Sequence, residues 1–117
     1  MNTTYFGKYL RKLRIDTGEL LKDMATRLGI TPSYLSAIEI GKRNIPKDMP
    51  NAIIMSYNLN DYQARELMKS VAYSSKVIKL NVENLDREDK SLIFELVKKI
   101  KNLSEEDKIK IKDILKH

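Results

Sequence analysis

The sequence lacks cysteine, and its single histidine, His117, is the last residue. Without cysteine the chain can form neither disulfides nor thiolate metal sites, and it has no cysteine nucleophile. A lone histidine at the end of the chain is a poor basis for acid–base catalysis or for a histidine-rich metal site. We therefore expect a protein that is not an enzyme and that binds neither a metal ion nor a cofactor.

Long apolar runs are missing as well. No stretch approaches the length of about eighteen apolar residues that a membrane span requires. The first residues also lack the basic-then-apolar layout of a secretory signal. These absences predict a cytoplasmic protein without a membrane partner. The 117 residues, 42% of them hydrophobic, suffice for one compact domain and an accessory segment.

Positive charge is what the sequence has in excess. The chain carries 22 Lys and Arg against 16 Asp and Glu, a net charge of +6. Most of this excess lies in the first 60 residues, which hold nine basic and five acidic side chains. Because a basic surface attracts polyanions and releases their counterions, the first half of the chain is where a nucleic-acid partner is expected.

Apolar residues at helical spacing predict five short helices between residues 5 and 73. The second of these ends at Gly29, a residue suited to a left-handed helix cap. Thr31 and Pro32 then predict the start of the third helix, since threonine caps free backbone N–H groups and proline fits the first helical position. The region is therefore expected to fold as an all-helical domain.

After residue 74 the pattern changes. Ile78, Leu80 and Val82 alternate with polar residues, which is the period of a half-buried strand, and helical spacing then returns for two further helices. Because one short strand is not stable alone in water, these three residues are expected to pair with the same strand of a second copy. The alternative is an extended linker. Residues 74–117 are thus predicted to be a dimerisation and accessory segment.

Residues 21–40 meet the requirements of a helix-turn-helix in order. Ala25 is small enough to let the second helix approach, and Gly29 tolerates the positive φ of the turn. Ile30 fills the angle between the two helices. The inner face of the second helix has apolar residues at the two positions that must be buried, Leu35 and Ile38.

This segment resembles the xenobiotic-response-element family of regulators, also called Cro/CI-type or lambda-repressor-like. The similarity extends from about Tyr5 to Val71 and includes the stretch 38–46 that closes the third helix. The resemblance implies a mainly α fold of five helices whose third helix enters a DNA major groove. It also implies an ion pair between Arg14 on the first helix and Glu39 at the end of the third, which would anchor one helix on the other.

Two positions depart from the family pattern. Members often have threonine and then glutamine at the start of the second helix, where the glutamine reaches a phosphate. Here these residues are Leu20 and Leu21, so a phosphate contact must come from the backbone or from Lys22. The first residue of the recognition helix, often a base-reading glutamine, is Pro32, which offers only ring contact, for example to a thymine methyl.

The residues expected to contact DNA lie on the outward face of the third helix or beside it. That face has no Arg, Asn or Gln, so strong bidentate base readout is missing from it. The basic loop that follows is expected to bind phosphates, and DNA shape is expected to contribute to specificity. Tyr34 is expected either to reach a phosphate or sugar or to pack on the second helix. The full set is Thr31, Pro32, Ser33, Tyr34, Ala37, Lys42, Arg43, Asn44 and Lys22.

Together these features predict a transcriptional regulator that binds specific double-stranded DNA. The expected form is a homodimeric repressor whose recognition helices lie about 34 Å apart on a palindromic operator. The sequence leaves two alternatives open. The chain would act as an antitoxin-type autoregulator if its tail helices bind a protein partner, or as a protein–protein adaptor if the third helix is a docking surface.

Overall fold

The structure, a computed structural model, describes residues 3–116, so His117 lies outside the described residues. The chain divides into two compact units, the first ending at Ile78 and the second beginning at Lys79. All regular secondary structure between residues 3 and 116 is helical. No helix in that range is long and apolar enough to cross a membrane.

The first unit contains five helices, as the apolar spacing predicts. Three of them start with a side-chain cap: the oxygens of Thr4, Thr31 and Asn60 accept hydrogen bonds from backbone N–H groups of the first turn. The helices are α1 Tyr5–Thr17, α2 Leu21–Leu28, α3 Pro32–Glu39, α4 Met49–Ser56 and α5 Asp61–Ser74.

All five helices contribute to one apolar core. α1 packs against α5 and α3, and α2 packs against α3 and α4. Burying a large apolar side chain contributes about 1.5–3 kcal/mol, which explains how eight-residue helices, too short to be stable alone, keep their shape here. The buried apolar residues are Phe6, Leu10, Met24, Ala25, Leu35, Ile38, Met49, Ile53 and Leu67.

The second unit is a pair of helices. α6 spans Arg87–Lys99, a short 3-10 helix covers Ile100–Asn102, and α7 spans Glu105–Leu115. The side chains of Asp86 and Ser104 cap the two α-helices. Neither helix has a buried residue, so this unit, unlike the first, has no core within its described residues.

The predicted strand is not formed: residues 77–82 have no regular secondary structure in the described chain. Ile78 and Leu80 are exposed, and Val82 is half-buried. The alternation of apolar residues specifies which side chains share a face, but a strand also needs a hydrogen-bonding partner. Because the single chain offers none, the prediction of a strand is wrong for the isolated protein. Pairing with a second copy stays a prediction.

Candidate nucleic-acid interface

The turn between α2 and α3 depends on a left-handed glycine. Gly29 has a φ of 72°, a conformation that is costly for a residue with a Cβ atom. The N–H groups of Gly29 and Ile30 donate to the carbonyl oxygens of Thr26 and Ala25 at 3.1 and 3.0 Å. These bonds complete the end of α2 and fix the direction in which the chain enters α3.

α3 begins where the sequence predicts. The Thr31 hydroxyl accepts a hydrogen bond from the Tyr34 N–H at 3.1 Å, and Pro32 occupies the first helical position. The Thr31 carbonyl also accepts the first helical bond, from the Leu35 N–H at 3.0 Å. The N-terminal tip of α3 is therefore held by both the side chain and the backbone of one residue.

One face of α3 is buried, and this decides which face points outward. Leu35 and Ile38 are 0% and 1% exposed, and both belong to the same core cluster as Ala25 of α2. Ile30, in the turn, is half-buried against that core. The residues of α3 and its cap that stay exposed are Thr31, Pro32, Ser33 and Tyr34, with Ala37 half-buried.

The outward tip of α3 is rich in small polar groups. The hydroxyl oxygens of Thr31 and Ser33 lie 3.5 Å apart, and Tyr34 is 37% exposed. Hydroxyls both donate and accept hydrogen bonds, so they can meet a base edge or a phosphate but discriminate poorly between bases. The tip can thus enter a groove closely without reading it strongly.

The loop after α3 carries the charge that the helix lacks. Lys42, Arg43 and Asn44 are all exposed. The N–H groups of Lys42 and Arg43 both donate to the Ala37 carbonyl, at 2.9 and 3.2 Å, so the backbone is tied to α3. Within the described residues their side chains make no hydrogen bond or ion pair that would occupy them. Two cations on a fixed backbone are well suited to contact phosphates.

The start of α2 offers few donors to a phosphate. The Asp23 carboxylate accepts a hydrogen bond from the Leu20 N–H at 2.8 Å, so this backbone donor is already satisfied within the chain. Leu20 itself is 62% exposed and has no polar group to offer. Lys22, in the first turn of α2, is exposed and carries a charged donor at this end of the helix.

A buried ion pair holds the far end of α3. Two guanidinium nitrogens of Arg14 donate to the two carboxylate oxygens of Glu39, at 2.5 and 3.1 Å. Both residues are buried, 8% and 2% exposed, and Arg14 also contacts the sulfur of Met24 at 3.2 Å. Arg11 lies 3.7 Å from the same carboxylate. The pair links α1 to the end of α3 in bidentate geometry.

The start of α1 also holds the end of α3, through contacts that the sequence analysis did not predict. The N–H and the hydroxyl of Thr4 both donate to the Glu39 carbonyl, at 3.0 and 2.9 Å. The next turn approaches so closely that a Cβ on Gly7 would lie 2.2 Å from this oxygen. A glycine inside a helical pattern is the available signal, since it marks a close backbone approach.

A cluster of polar side chains also links α2 to the end of α4. The Arg27 guanidinium lies 2.9 Å from a Glu19 carboxylate oxygen, donates to the Ser56 carbonyl at 2.9 Å, and stacks 4.2 Å from the centre of the Tyr57 ring. Burial alone would raise the pKa of Glu19, but the hydrogen bonds that its carboxylate accepts from Arg27 and Thr17 help to hold it below its usual value. The cluster thus favours the charged carboxylate and ties α2 to the end of α4.

The geometry agrees with comparison to known proteins. Residues 8–49 match the family model described as "Helix-turn-helix", a range that includes all of α2 and α3. Residues 8–49 therefore contain a helix-turn-helix of the kind that this model describes. The model is that of the xenobiotic-response-element, lambda-repressor-like type, which is the family that the sequence resembles. No curated protein and no solved structure matches the chain.

The helix-turn-helix match supports a DNA-binding regulator of transcription. It stops at the start of α4 and includes nothing of the second unit. Within the described residues, no three Asp, Glu or His side chains are grouped to hold a metal ion. Of the nine residues predicted to contact DNA, eight lie on α3, its cap or the following loop, and Lys22 lies on α2.

Proposed function

We propose that this protein is a sequence-specific regulator that binds double-stranded DNA as a homodimer and represses transcription by occluding a promoter. The observation that carries the proposal is the seating of α3. Its inner face is fully buried at Leu35, its far end is clamped through Glu39, and its tip is exposed at Thr31. A helix that is fixed at both ends and exposed to solvent along one face is suited to enter a major groove.

The distribution of charge supports DNA contacts on the first unit. Residues 1–78 carry twelve Lys and Arg against seven Asp and Glu, whereas residues 79–117 carry ten against nine. Because affinity for DNA depends mainly on phosphates neutralised, most of the binding free energy comes from the unit with a net charge of +5. The second unit, with a net charge of +1, contributes little to it directly.

The loop after α3 positions the protein on the DNA backbone, and the tip of α3 contacts the bases. Lys42 and Arg43 bind phosphates and set the register, and Lys22 does the same beside the start of α2. The hydroxyls of Thr31 and Ser33 meet base edges. Because these groups discriminate weakly, sequence-dependent DNA shape supplies a large part of the specificity.

Two copies are needed for a useful operator affinity. Each recognition helix offers few specific contacts, so a single copy gains little over its non-specific binding. In a two-fold homodimer the half-sites are inverted and their centres lie about 34 Å apart, one helical turn. This regulator acts in the cytoplasm, the location that the sequence predicts.

Selection of bound duplexes from a random pool tests the proposal. The full chain is expected to enrich an inverted repeat with half-sites one turn apart. Binding of the enriched duplex, followed by fluorescence anisotropy, should weaken steeply as salt rises, because several phosphate contacts release counterions. An adaptor that docks proteins through α3 would enrich no sequence and show no such salt dependence, and that outcome would refute the proposal.

A further inference from the structure

A groove runs along the surface of the first unit between α1 and α5. The rings of Tyr5 and Tyr73 have their centres 5.5 Å apart, and the Tyr9 hydroxyl donates to the Gln63 carbonyl at 2.9 Å, so the two helices run antiparallel. The groove has a volume of about 300 Å³ and follows about 10 Å, or two turns, of each helix. None of its described lining residues belongs to the nine predicted to contact DNA.

The groove has a fixed shape because α1 and α5 pack against each other in the core. Phe6 and Leu10 of α1 and Leu67 of α5 are fully buried. The Phe6 N–H also donates to the Ser74 hydroxyl at 2.9 Å, which joins the first turn of α1 to the end of α5. Since both walls are already held in place, a partner that binds here loses little affinity to the ordering of the groove.

The charged side chains that line the groove are mostly cations. They are three lysines and one glutamate, a net charge of +2, at Lys8, Lys12, Lys69 and Glu66. Lys69 lies 3.4 Å from the Glu66 carboxylate, whereas no ion pair between residues 3 and 116 involves Lys8 or Lys12. The remaining acids of the two helices, Asp16 and Asp61, do not line the groove. The groove therefore offers two exposed ammonium groups to an anionic partner.

The surface beside these lysines is aromatic. Tyr5 and Tyr73 are 59% and 63% exposed, and their rings meet edge to face at 73°. The Lys8 ammonium lies 5.5 Å from the centre of the Tyr5 ring, so a cation and an aromatic wall occupy the same end of the groove. Aromatic rings favour further edge-to-face contacts of this kind. A partner that carries an aromatic ring next to carboxylates matches both features.

We infer that the groove between α1 and α5 is a docking site for a short acidic segment of another protein. One aromatic side chain of that segment packs on Tyr5 and Tyr73, and carboxylates beside it pair with Lys8 and Lys12. An extended chain rises about 3.3 Å per residue, so about three of its residues lie along the groove. This interaction is separate from the binding of DNA through α3.

Other occupants fit these features less well. A second copy in a two-fold contact would present the same surface, and lysines would then meet lysines. Single-stranded nucleic acid stacks its bases on aromatic faces, but the rings of Tyr5 and Tyr73, at 73° to each other, form no common platform. Small-molecule sites enclose most of their ligand, whereas this groove is open along its length, with both tyrosines more than half exposed.

Binding of labelled peptides to the full chain tests the inference. The probe is a short peptide with an uncharged dye and a central phenylalanine between aspartate and glutamate residues, and a matched peptide has alanine in place of the phenylalanine. Fluorescence anisotropy measures both affinities. The alanine peptide should bind about ten-fold more weakly, because it loses the contact with the tyrosines. Tyr73→Ala should weaken binding of the phenylalanine peptide and leave that of the alanine peptide unchanged.

Charge reversal separates the groove from a general attraction of acidic peptides to a basic protein. Lys8→Glu and Lys12→Glu should each weaken binding of the phenylalanine peptide about five-fold, because each replaces an attraction by a repulsion. Lys47→Glu is the matched control, since Lys47 is exposed, lies outside the groove and gives the same change in net charge. Equal losses for the three variants would show an attraction to net charge alone and overturn the inference.

Three further results would also overturn it. The first is that neither peptide binds at protein concentrations on the order of millimolar. The second is that a short oligothymidine binds more tightly than the phenylalanine peptide and is released by Lys8→Glu, which would assign the groove to a single strand. The third is that Lys8→Glu changes the oligomeric state in sedimentation, which would assign the groove to a second copy. DNA binding through α3 is measured separately and does not depend on any of these outcomes.

Discussion

Leu35 in the first unit and Leu92 in the second are both leucines on the apolar face of a helix, yet Leu35 is 0% exposed and Leu92 is 70% exposed. The helix around Leu35 has eight residues and that around Leu92 has thirteen. The shorter helix is the better packed, because its stability comes from its contacts with α1 and α2 in a shared core rather than from its own length. Apolar spacing predicts which residues face a core, but the rest of the fold decides whether that core exists.

Ion pairs differ between the units in the same way. In the first, Arg14 and Glu39 are buried and bonded through both oxygens. In the second, Lys99 lies 3.8 Å from Glu95 with both side chains more than half exposed. An exposed ion pair contributes about 0–1 kcal/mol to the free energy of unfolding. Breaking a buried pair costs more, because it leaves a charge without a partner in the protein interior. Buried contacts therefore hold the helices of the first unit in one arrangement, whereas the helices of the second unit leave apolar side chains exposed to solvent.

The largest expected effect comes from truncating one leucine in each unit. Leu35→Ala should lower the free energy of unfolding of the first unit by about 2–5 kcal/mol, because it opens a cavity. Leu92→Ala should leave that value unchanged, because Leu92 belongs to the second unit and is 70% exposed. All six tyrosines lie in the first unit, so urea unfolding followed by tyrosine fluorescence reports on it alone. Equal losses for the two variants would contradict the comparison.

A smaller effect is expected from the ion pairs. Glu39→Gln keeps one acceptor but leaves the buried Arg14 charge unpaired, which should cost about 1–3 kcal/mol of stability. Glu95→Gln, its counterpart in the second unit, should cost less than about 0.5 kcal/mol. Urea unfolding measures both, with tyrosine fluorescence for the first and circular dichroism for the second. A neutral Glu39→Gln would show that the buried pair does not anchor α3.

Much of the first unit follows from local sequence. Gly29, Thr31 and Pro32 predict the turn and the start of α3 because glycine, threonine and proline restrict the backbone next to them. The clamp of Thr4 and Gly7 on Glu39 could not be predicted in this way, since it joins residues 35 positions apart. Only the unusual glycine inside α1 hints at it.

In the second unit, local sequence predicts the helices but not the structure of the segment before them. The two tail helices are where helical spacing predicts them, but the alternation from Ile78 to Val82 does not produce a strand. A strand depends on a partner, and the sequence between residues 74 and 117 contains no second one. The exposure of Leu92 on α6 was also beyond prediction, because spacing alone does not tell how much of an apolar face its neighbours cover.

The most direct test of DNA binding through α3 and its loop is the salt dependence of operator affinity for Arg43→Ala. Arg65→Ala is the matched control, an exposed arginine on α5, which packs against α1 and α4. If Arg43 binds a phosphate, its loss should weaken binding to all duplexes alike and reduce the salt slope by about 1, while Arg65→Ala retains the wild-type slope. Identical slopes and affinities for the two variants would contradict the account.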